Sequence, residues 1–407
     1  MIVPFIVKSW NDFFFKPQRP TPVALFRIFY GLINIANLAL LRPEWFTWYG
    51  RHAFMSMQTL TKFSSGARLN LFVLLPQTDF AVDVFFWIFM ACAICLTLGF
   101  LTRFSCVAVY LCLMSIQERN SYILNGADTV MTVTGFFLMF SAADGALSVD
   151  RLRRIWAGRE GPEVPLYSPW AQRMIQLQIS IGYISTFLAK MVGKSWRNGT
   201  AIYYVLRLDG FRRFPVPFGN RLIVTRLMTW GTLVIEFSAG FLVWFRALRY
   251  AVLTAALLLH MSIEYSMNLP IFEWIMVSTY VTFVYPEDLS KAWSWICERL
   301  GPQLGAMGTV VYDGASNSSL RTVNTLRALD VFRRVRFLDL HSQEGSAIFP
   351  GAGEAPGLDR VRFLTPSGPQ EGLPGLCAIA PLVPMLWPLA IPSLFRGGVP
   401  RPAAAKE

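Results

Sequence analysis

The stretch DFAVDVFFWIFMACAICLTLGFL, from Asp79 to Leu101, is apolar over a length that can cross a lipid bilayer. It is one of eight such segments, which lie at about 22–41, 79–101, 103–118, 127–145, 170–191, 222–245, 247–268 and 270–286. Backbone amides inside a bilayer must be paired within their own segment, and a helix achieves this. The sequence therefore predicts an α-helical multi-pass membrane bundle of about eight spans, with a small C-terminal α/β domain.

The composition of the chain agrees with this class. Of the 407 residues, 54% are hydrophobic and 15% are charged, whereas soluble domains carry about 25% charged residues. A formal net charge of +12 could indicate nucleic-acid binding, but the arginines lie in short blocks beside apolar segments. We therefore expect the lipid bilayer as a partner, and no nucleic acid. The six cysteines show neither disulfide nor metal-ligand spacing, so no metal site is predicted.

The basic residues also predict the orientation in the membrane. If eight spans alternate, one side receives most of the basic residues that flank the spans, namely Lys8, Lys16, Arg19, Arg103, Arg151, Arg153, Arg154, Arg159, Arg246 and Arg249. The positive-inside rule makes that side cytoplasmic. We expect an integral protein of a bacterial inner membrane with both termini in the cytoplasm. The basic loop 192–221 opposes this orientation, so either its length tolerates the charges or they have another role.

Changes in composition divide the chain into five parts. Residues 1–20 are predicted to be an interfacial segment, because aromatic residues alternate with lysines and no signal-peptide cleavage site follows. Residues 21–290 form the transmembrane domain, 291–305 an amphipathic linker, 306–395 a small domain and 396–407 a flexible tail. The hydrophobic stretch 376–395 contains four prolines, so we expect a packed or interfacial tail there rather than a ninth span.

The small domain opens with VVYDGASNSSLRTVNTLRAL, from Val310 to Leu329. A β-branched run meets an Asp-Gly turn, and leucines and a valine then recur at helical spacing. A second strand is predicted from Val335 to Leu340. This order of strand, turn and helix is typical of the start of a thioredoxin-like unit.

Several pieces of the membrane part together resemble the HTTM family, whose membrane domain is related to vitamin K-dependent γ-carboxylase. The pieces are LAKMVGKSWRNGT at 188–200, ALFRIFYG at 24–31, RFSCVAVYL at 103–111, LSVDRL at 147–152, IEFSAGFLVWF at 235–245 and LLLHMSIEYSMNLPIFEWIMVS at 257–278. Their order along the chain is more specific than any single piece. The resemblance covers about 20–290 and implies a helical membrane domain.

The C-terminal part resembles a DCC-family thioredoxin-like domain, a family named for an Asp-Cys-Cys motif. Only the aspartate remains, as Asp313, and serines stand at the redox positions, as Ser316 and Ser319. A serine hydroxyl does not attack a disulfide, but serine is a good helix N-cap. We therefore expect a degenerate domain that docks or stabilises and lacks thiol-disulfide oxidoreductase activity.

The resemblance to the carboxylase implies a membrane-embedded base and a membrane quinol as cofactor or substrate. The lysine of the matching motif is Lys190, and the histidine of the matching seventh span is His260. Where the carboxylase has an Asn-Asn-His-x-Tyr stretch, this chain has YILNGAD at 122–128, which supplies Asn125 and Asp128 but no histidine. The large outer domain that captures peptides is also missing. Carboxylation of peptides is therefore not expected.

Ionisable residues inside the apolar segments point to the same region without any resemblance. Such groups cost about 2–3 kcal/mol when they face lipid, so they should face the bundle interior and pair. We predict an ion pair of Arg27 with Glu236, and a contact between His260 and Glu264, which lie four residues apart. Lys190 either serves as a base or extends to the membrane surface with Lys194 and Arg197.

These residues give a candidate site. Lys190, His260 and Glu264 are its candidate catalytic residues, gathered on one interior cavity. Trp196 and Tyr203 are expected at the outer mouth of this cavity. The candidate substrate-binding residues are Arg27, Asn125, Asp128, Trp196, Tyr203 and Glu236.

Three functions remain open. The first is a carboxylase-like membrane enzyme that acts on a quinol or another small lipid-soluble molecule. The second is a membrane scaffold without catalysis, whose C-terminal domain binds a protein partner. The third is a transporter, which interior charges also permit, although no internal repeat or pair of interrupted short spans supports it.

Overall fold

The computed structural model describes residues 2–63, 69–304, 307–348, 361–365 and 368–387. The chain forms two compact units, one comprising Met1–Ser148 with Pro165–Pro286 and the other Val149–Val164 with Glu287–Glu407. The sequence analysis predicted that each domain is one continuous stretch of the chain. The second unit instead includes Val149–Val164, a segment that lies between two apolar helices in the sequence.

The described part of the first unit is helical. Its helices are α1 (Ile2–Phe15), α2 (Thr21–Leu41), α3 (Trp45–Tyr49), α4 (Met57–Phe63), α5 (Asp79–Leu98), α6 (Thr102–Arg119) and α7 (Gly126–Met139). After α8 (Val149–Trp156), which belongs to the second unit, come α9 (Trp170–Val192), α10 (Lys194–Arg197), α11 (Ala201–Val205), α12 (Leu222–Phe241), α13 (Arg249–Ser266) and α14 (Phe272–Tyr280).

Each of the eight predicted apolar segments contains one of these helices, namely α2, α5, α6, α7, α9, α12, α13 and α14. Within the described ranges, however, three helical stretches are long and apolar enough to cross a membrane: Thr21–Tyr49, Asp79–Leu98 and Leu222–Trp244. The predicted count of eight spans is therefore not confirmed. Helix α14 is only nine residues long, about 14 Å, against a hydrocarbon core of about 30 Å.

Two apolar cores hold the first unit together. One gathers α2, α5, α6 and α7 around fully buried aromatic rings such as Phe26, Trp45 and Phe89. The approach of α2 to α5 is close because Gly31 has no side chain. A Cβ atom at Gly31 would lie 2.3 Å from Thr97 Oγ1 and 2.9 Å from Thr97 N.

The other core gathers α9, α12, α13 and α14, which surround the candidate site. Its buried members include Ile179, Tyr183, Val252, Ala256 and Met276. Because these helices are apolar on most sides, the few polar side chains between them have no water to bind and must find partners within the bundle.

The second unit contains a mixed sheet of four strands, β1 (Gly308–Tyr312), β2 (Val335–Asp339), β3 (Arg362–Thr365) and β4 (Gly368–Glu371), in the order β2-β1-β3-β4. Strand β1 pairs parallel with β2 and antiparallel with β3, and β3 pairs antiparallel with β4. Besides α8, the described part of this unit contains the helices α15 (Pro286–Leu300), α16 (Asn317–Leu329), α17 (Gln343–Ile348) and α18 (Gly372–Ile379).

The two strands and the helix predicted for the start of this unit are present. The described part of the hydrophobic C-terminal stretch, residues 376–387, packs into the core of the second unit. Its buried residues are Ile379, Ala380, Val383 and Leu386. Prolines limit its helix to α18 and two short 3₁₀ turns, Ala380–Leu382 and Pro384–Leu386, so no ninth span forms in residues 368–387. Residues 388–395 of the predicted tail lie outside the described ranges.

Candidate functional site

Four polar side chains form a hydrogen-bonded row inside the second core of the first unit. The Glu273 carboxylate bonds Nδ1 of His260, and Nε2 of the same ring lies 2.8 Å from the Tyr183 hydroxyl. The Tyr183 hydroxyl in turn bonds the hydroxyl of Tyr280. We name Glu273, His260, Tyr183 and Tyr280 the buried polar row. All four are at least nine-tenths buried, and Glu273 has no exposed surface.

Helix geometry explains how these residues meet. Tyr183 lies in the middle of α9 and His260 near the C-terminal end of α13, while Glu273 and Tyr280 lie two turns apart on the same side of α14. The imidazole is packed against Phe272, with ring centroids 6.0 Å apart, and against Tyr280 at 6.1 Å. The row is therefore held by three helices, and its rings have little freedom to rotate.

The row has one hydrogen-bond pattern when the imidazole is neutral. His260 donates from Nδ1 to the Glu273 carboxylate, which fixes the tautomer and leaves Nε2 to accept from Tyr183. Tyr280 then donates to the oxygen of Tyr183. When the imidazole carries a second proton, Nε2 donates to the Tyr183 oxygen and Tyr183 donates to the Tyr280 oxygen, so both bonds reverse direction and are kept. The row can thus hold an extra proton without breaking a bond.

The same group of helices also contains an ion pair, which joins α9 to α12. The Lys190 ammonium bonds Oε1 of Glu236, and Nζ lies 5.1 Å from the centre of the Trp196 ring. The Lys190 side chain is 24% exposed and that of Glu236 is 9% exposed. The lysine thus reaches the edge of the bundle, while the carboxylate is buried.

Two carboxylate oxygens in this region have no partner among the described residues, Oε2 of Glu236 and Oε1 of Glu273. Lys190 binds the Glu236 carboxylate, and His260 binds the Glu273 carboxylate. The interior therefore contains two acid–base pairs, and the Tyr183 hydroxyl bonds the imidazole of one of them.

The structure corrects two predicted pairings. His260 is oriented by Glu273 and not by Glu264, because Glu264 Oε1 accepts from Arg213 Nη1 at 2.5 Å. Glu236 pairs with Lys190 rather than with Arg27. Spacing along one helix suggested Glu264 for His260, because it shows only which residues can meet on that helix, whereas Glu273 comes from α14. The pairing of Arg27 with Glu236 rested on opposite charge in two predicted spans, and charge alone does not show which helices are neighbours.

The buried Arg27 side chain bonds backbone carbonyl groups. Its fully buried guanidinium donates to the carbonyl oxygens of Ala143 at 2.9 Å and Leu147 at 2.6 Å, at the end of the chain segment that follows α7. A Cβ atom at the neighbouring Gly99 would lie 2.4 Å from Nη1 of this arginine. The guanidinium thus joins three parts of the chain by binding carbonyl groups that no helix pairs.

The other predicted binding residues lie apart from the buried polar row. Asn125 and Asp128 form a capping box at the start of α7, in which the Asn125 amide donates to Asp128 Oδ2 at 2.7 Å. The Tyr203 ring lies 3.5 Å beneath the guanidinium of Arg207. Asp128 also accepts from Gln117 Nε2, with Oδ1 at 3.4 Å.

Two cavities lie in the first unit beside α2 and α14. A cavity of about 330 Å³ has polar residues in its wall, among them Tyr49, Gln117, Asn125 and Asp128. A larger groove of about 760 Å³ has an almost entirely apolar wall, which includes Phe29, Leu32, Ala36, Trp274 and Val277 and ends at Arg213 and Glu264. Within the described ranges no group of three or more His, Cys, Asp or Glu side chains is placed to hold a metal ion.

In the second unit, Ser316 is the N-cap of α16 and accepts a hydrogen bond from the Ser319 amide at 3.4 Å. The Asp313 carboxylate lies 2.9 Å from His341 Nε2. A hydrogen bond from the Ala315 amide to Asp313, together with the contact to His341, holds the pKa of that carboxyl below its usual range.

Sequence reasoning missed Glu273, Tyr183 and Tyr280. Glu273 offered a signal, since it is a carboxylate inside a predicted span, as Glu236 and Glu264 are. The tyrosines offered none, because a tyrosine in an apolar helix is commonly a core or interfacial residue.

Comparison with known proteins agrees with the helical part of this description. Residues 15–288 match the HTTM domain family. The chain is also similar to the uncharacterized protein YitO of Bacillus subtilis (strain 168), with 22% identity over 235 residues that cover 56% of this chain and 75% of the relative. No solved structure matches the chain. Since the family match covers well over half of the sequence, this protein is a membrane protein that belongs to the HTTM domain family.

Proposed function

We propose that this protein is a membrane enzyme that moves a proton to or from a small lipid-soluble substrate. The substrate class that we propose is a quinol. The observation that carries the proposal is the buried polar row of Glu273, His260, Tyr183 and Tyr280. A buried polar group that is not needed for packing costs free energy, so a connected row of four inside an apolar bundle favours a functional role.

The row offers a balanced route for one proton. A proton that arrives at the Tyr280 oxygen lets Tyr280 pass its own proton to Tyr183, and Tyr183 pass its proton to Nε2 of His260. The product is an imidazolium beside the Glu273 carboxylate, which compensates its charge. The reverse sequence returns the proton. His260 is the proton store in this proposal, and Glu273 is a positioning residue.

Lys190 remains the proposed base at the edge of the site. It lies against Glu236 and Trp196 and is partly exposed, so a substrate can reach it from outside the bundle. The alternative is an anchor at the membrane surface. Arginine in place of Lys190 keeps the charge but cannot give up its proton, so activity lost in both Lys190→Arg and Lys190→Ala, with normal folding, supports the base. Full activity of Lys190→Arg contradicts it.

The main test identifies the bound molecule and then follows its fate. The protein is purified in mild detergent, its bound lipids are extracted, and any compound enriched over bulk phospholipid is identified by mass spectrometry. The purified protein is then incubated with that compound. We expect conversion by the wild type and at least about 100-fold slower conversion by Tyr183→Phe, since a lost proton-transfer group typically costs that factor.

Tyr204→Phe is the matched control for this test, because Tyr204 is 61% exposed and lies outside the row. Its rate should equal that of the wild type. Equal rates for Tyr183→Phe and the wild type would refute the proposal. Recovery of bulk phospholipids alone would favour the scaffold instead.

We propose that the second unit is a thioredoxin-like domain that has lost its redox chemistry. The sheet order β2-β1-β3-β4, with one parallel and two antiparallel pairs, supports this assignment, as does the placement of Ser316 and Ser319 at the start of α16. The unmodified protein should show no thiol-disulfide exchange. The Ser316→Cys/Ser319→Cys variant should close a disulfide under oxidation. Disulfide reduction by the unmodified protein would contradict the assignment.

We also propose that both termini are cytoplasmic in a bacterial inner membrane. The support is the distribution of basic residues around the apolar helices. Reporter fusions at Gly161 and at the C-terminus should both indicate the cytoplasm. A periplasmic C-terminus would refute this orientation.

A further inference from the structure

We propose that an open cleft of the second unit, between α8 and α16, binds the phosphate head of an anionic phospholipid at the membrane surface. The cleft has a volume of about 640 Å³, and all of its lining residues belong to the second unit. Three of them are arginines: Arg153, Arg154 and Arg159. This inference goes beyond the proposed function, because it uses no residue of the buried polar row and assigns a site to the other unit.

The first observation is an excess of positive charge in the cleft. Glu160 binds Arg154, and Asp150 lies 3.9 Å from the exposed Arg153. Arg159 is exposed and forms no ion pair within the part of the chain that the structure describes. Guanidinium groups bind phosphate oxygens through two parallel hydrogen bonds, so this excess favours a ligand that carries phosphate.

A fourth arginine comes from α16. Arg321 lies at the edge of the cleft against Gly158, where a Cβ atom would be 3.0 Å from its Nε. The chain neighbours of Gly158, Ala157 and Arg159, both line the cleft, and so does Thr325, one turn after Arg321 on α16. Arg321 is exposed and has no ion pair among the described residues. The packing of α16 on α8 thus brings together arginines that are far apart in the sequence.

The end of α8 does not need these arginines. Basic side chains near a helix C-terminus often bind its unpaired carbonyl groups. Here the amides of the three residues that follow α8 donate to carbonyl oxygens of its last turn, each at 2.9 Å. Gly158 makes this turn possible, with a φ of 70° in the left-handed region. The guanidinium groups are therefore left to bind a ligand.

The second observation is an apolar stripe beside the arginines. Val149, Leu152 and Trp156 lie three or four residues apart, hence on one side of α8, and all three line the cleft. The Trp156 side chain is 59% exposed. An apolar stripe that contains tryptophan and is flanked by arginines is typical of a helix at a membrane surface. A soluble phosphate ion would leave the stripe uncovered, whereas the glycerol and upper chains of a phospholipid would cover it.

The third observation is the connection of α8 to the membrane domain. Segment 149–164 of the second unit follows helix α7 of the first unit in the sequence and precedes helix α9. Both of these helices belong to the HTTM domain. The short connections to them keep segment 149–164 near the bilayer, where anionic lipid heads are concentrated. A lipid is therefore favoured over a soluble anion as the source of the phosphate.

The first test counts the lipids bound to the full-length protein in detergent by native mass spectrometry. The protein is titrated with phosphatidylglycerol and, separately, with the zwitterionic phosphatidylcholine. We expect the first phosphatidylglycerol to bind at least about tenfold more tightly than the first phosphatidylcholine. Inorganic phosphate should compete at least about 100-fold more weakly than phosphatidylglycerol, because it lacks the apolar part. Equal affinity for the two lipids would overturn the proposal. Equal competition by inorganic phosphate would also overturn it, in favour of a soluble anion.

A triple variant tests whether the cleft is the site. It removes the three exposed arginines at the cleft, by Arg153→Gln, Arg159→Gln and Arg321→Gln. An arginine close to an anionic lipid surface contributes a factor of about five in affinity, so the triple variant should bind phosphatidylglycerol about 100-fold more weakly. Unchanged affinity would overturn the proposal.

The matched control removes three exposed arginines from the same unit that line no part of the cleft, by Arg327→Gln, Arg333→Gln and Arg336→Gln. The two triple variants have the same net charge, so they are attracted to an anionic lipid by the same long-range field. The control should bind phosphatidylglycerol within about threefold of the wild type. Equal losses in the two variants would show attraction by charge alone and would overturn the site.

Hydrogen exchange gives a local measurement at the cleft. The full-length protein is placed in nanodiscs of phosphatidylcholine alone, or of phosphatidylcholine mixed with phosphatidylglycerol. The amides of residues 149–159 should exchange more slowly with phosphatidylglycerol present, both in the wild type and in the control variant. The cleft variant should show no such difference. Exchange at 149–159 that does not respond to phosphatidylglycerol in the wild type would overturn the proposal.

Discussion

The hydrogen bond between Tyr183 and Tyr280 can be measured by a double-mutant cycle. Tyr183→Phe removes a hydroxyl that bonds both His260 and Tyr280, in a site from which water is excluded. Leaving a buried polar group without its partner costs about 1–3 kcal/mol, and two such groups remain. We expect Tyr183→Phe to lower the free energy of unfolding by about 2–4 kcal/mol.

Tyr280→Phe removes only the bond to Tyr183 and should cost about 1–2 kcal/mol. In the double variant the shared bond is lost once and not twice. The combined loss should therefore be smaller than the sum of the single losses by about 1 kcal/mol, which is a usual coupling for residues in one network.

The assay is equilibrium unfolding by sodium dodecyl sulfate in mixed micelles, with helix content followed by circular dichroism. Tyr204→Phe is the control and should change the free energy of unfolding by less than about 0.5 kcal/mol, as exposed substitutions usually do. Two results would refute the reasoning. Either Tyr183→Phe costs no more than the control, or the losses at Tyr183 and Tyr280 add within about 0.3 kcal/mol.

Three further predictions concern packing, capping and pH. Gly31→Ala should destabilise the first unit by about 1–3 kcal/mol in the same unfolding assay, because the new Cβ would meet the backbone of Thr97 at 2.9 Å. Ser316→Ala should lower the unfolding free energy of the second unit by about 1 kcal/mol, since it removes the N-cap that accepts from the Ser319 amide, whereas Ser316→Asp should retain most of it. The pKa of Asp313 is lowered in the folded state, mainly by a backbone amide that donates to it. The carboxylate therefore contributes to the free energy of unfolding above its unfolded pKa, and this contribution is lost as the pH falls through its folded pKa. Asp313→Asn should therefore reduce the acid dependence of thermal unfolding below about pH 4, and an unchanged acid limb would show that this carboxylate does not contribute.

The sequence predicted where the helices lie more reliably than which of them are long enough to cross a membrane. All eight apolar segments contain helices, because runs of apolar residues with few charges leave the backbone no better way to pair its amides. Three of these stretches have the length and composition of a span. The pattern could not separate spans from short buried helices such as α14, because both are apolar on most sides.

The candidate site was predicted in part. Lys190, Glu236 and His260 could be selected because a charged or titratable group inside an apolar segment is costly and must have a partner. The partners themselves were assigned incorrectly. Glu264 was chosen for His260 because it lies one turn away on the same helix, whereas the carboxylate that reaches the imidazole belongs to Glu273.

The sequence by itself determined that the chain is a helical membrane protein with a small mixed α/β unit at its C-terminal end. These features depend on local composition and periodicity, which act within a single segment. Only the tertiary structure decided that α9, α13 and α14 bring Tyr183, His260 and Glu273 into one hydrogen-bonded row. Contacts between helices depend on the rotation and depth of each helix in the bundle. Those are set by the packing of all its apolar neighbours together, and no spacing along one segment records them.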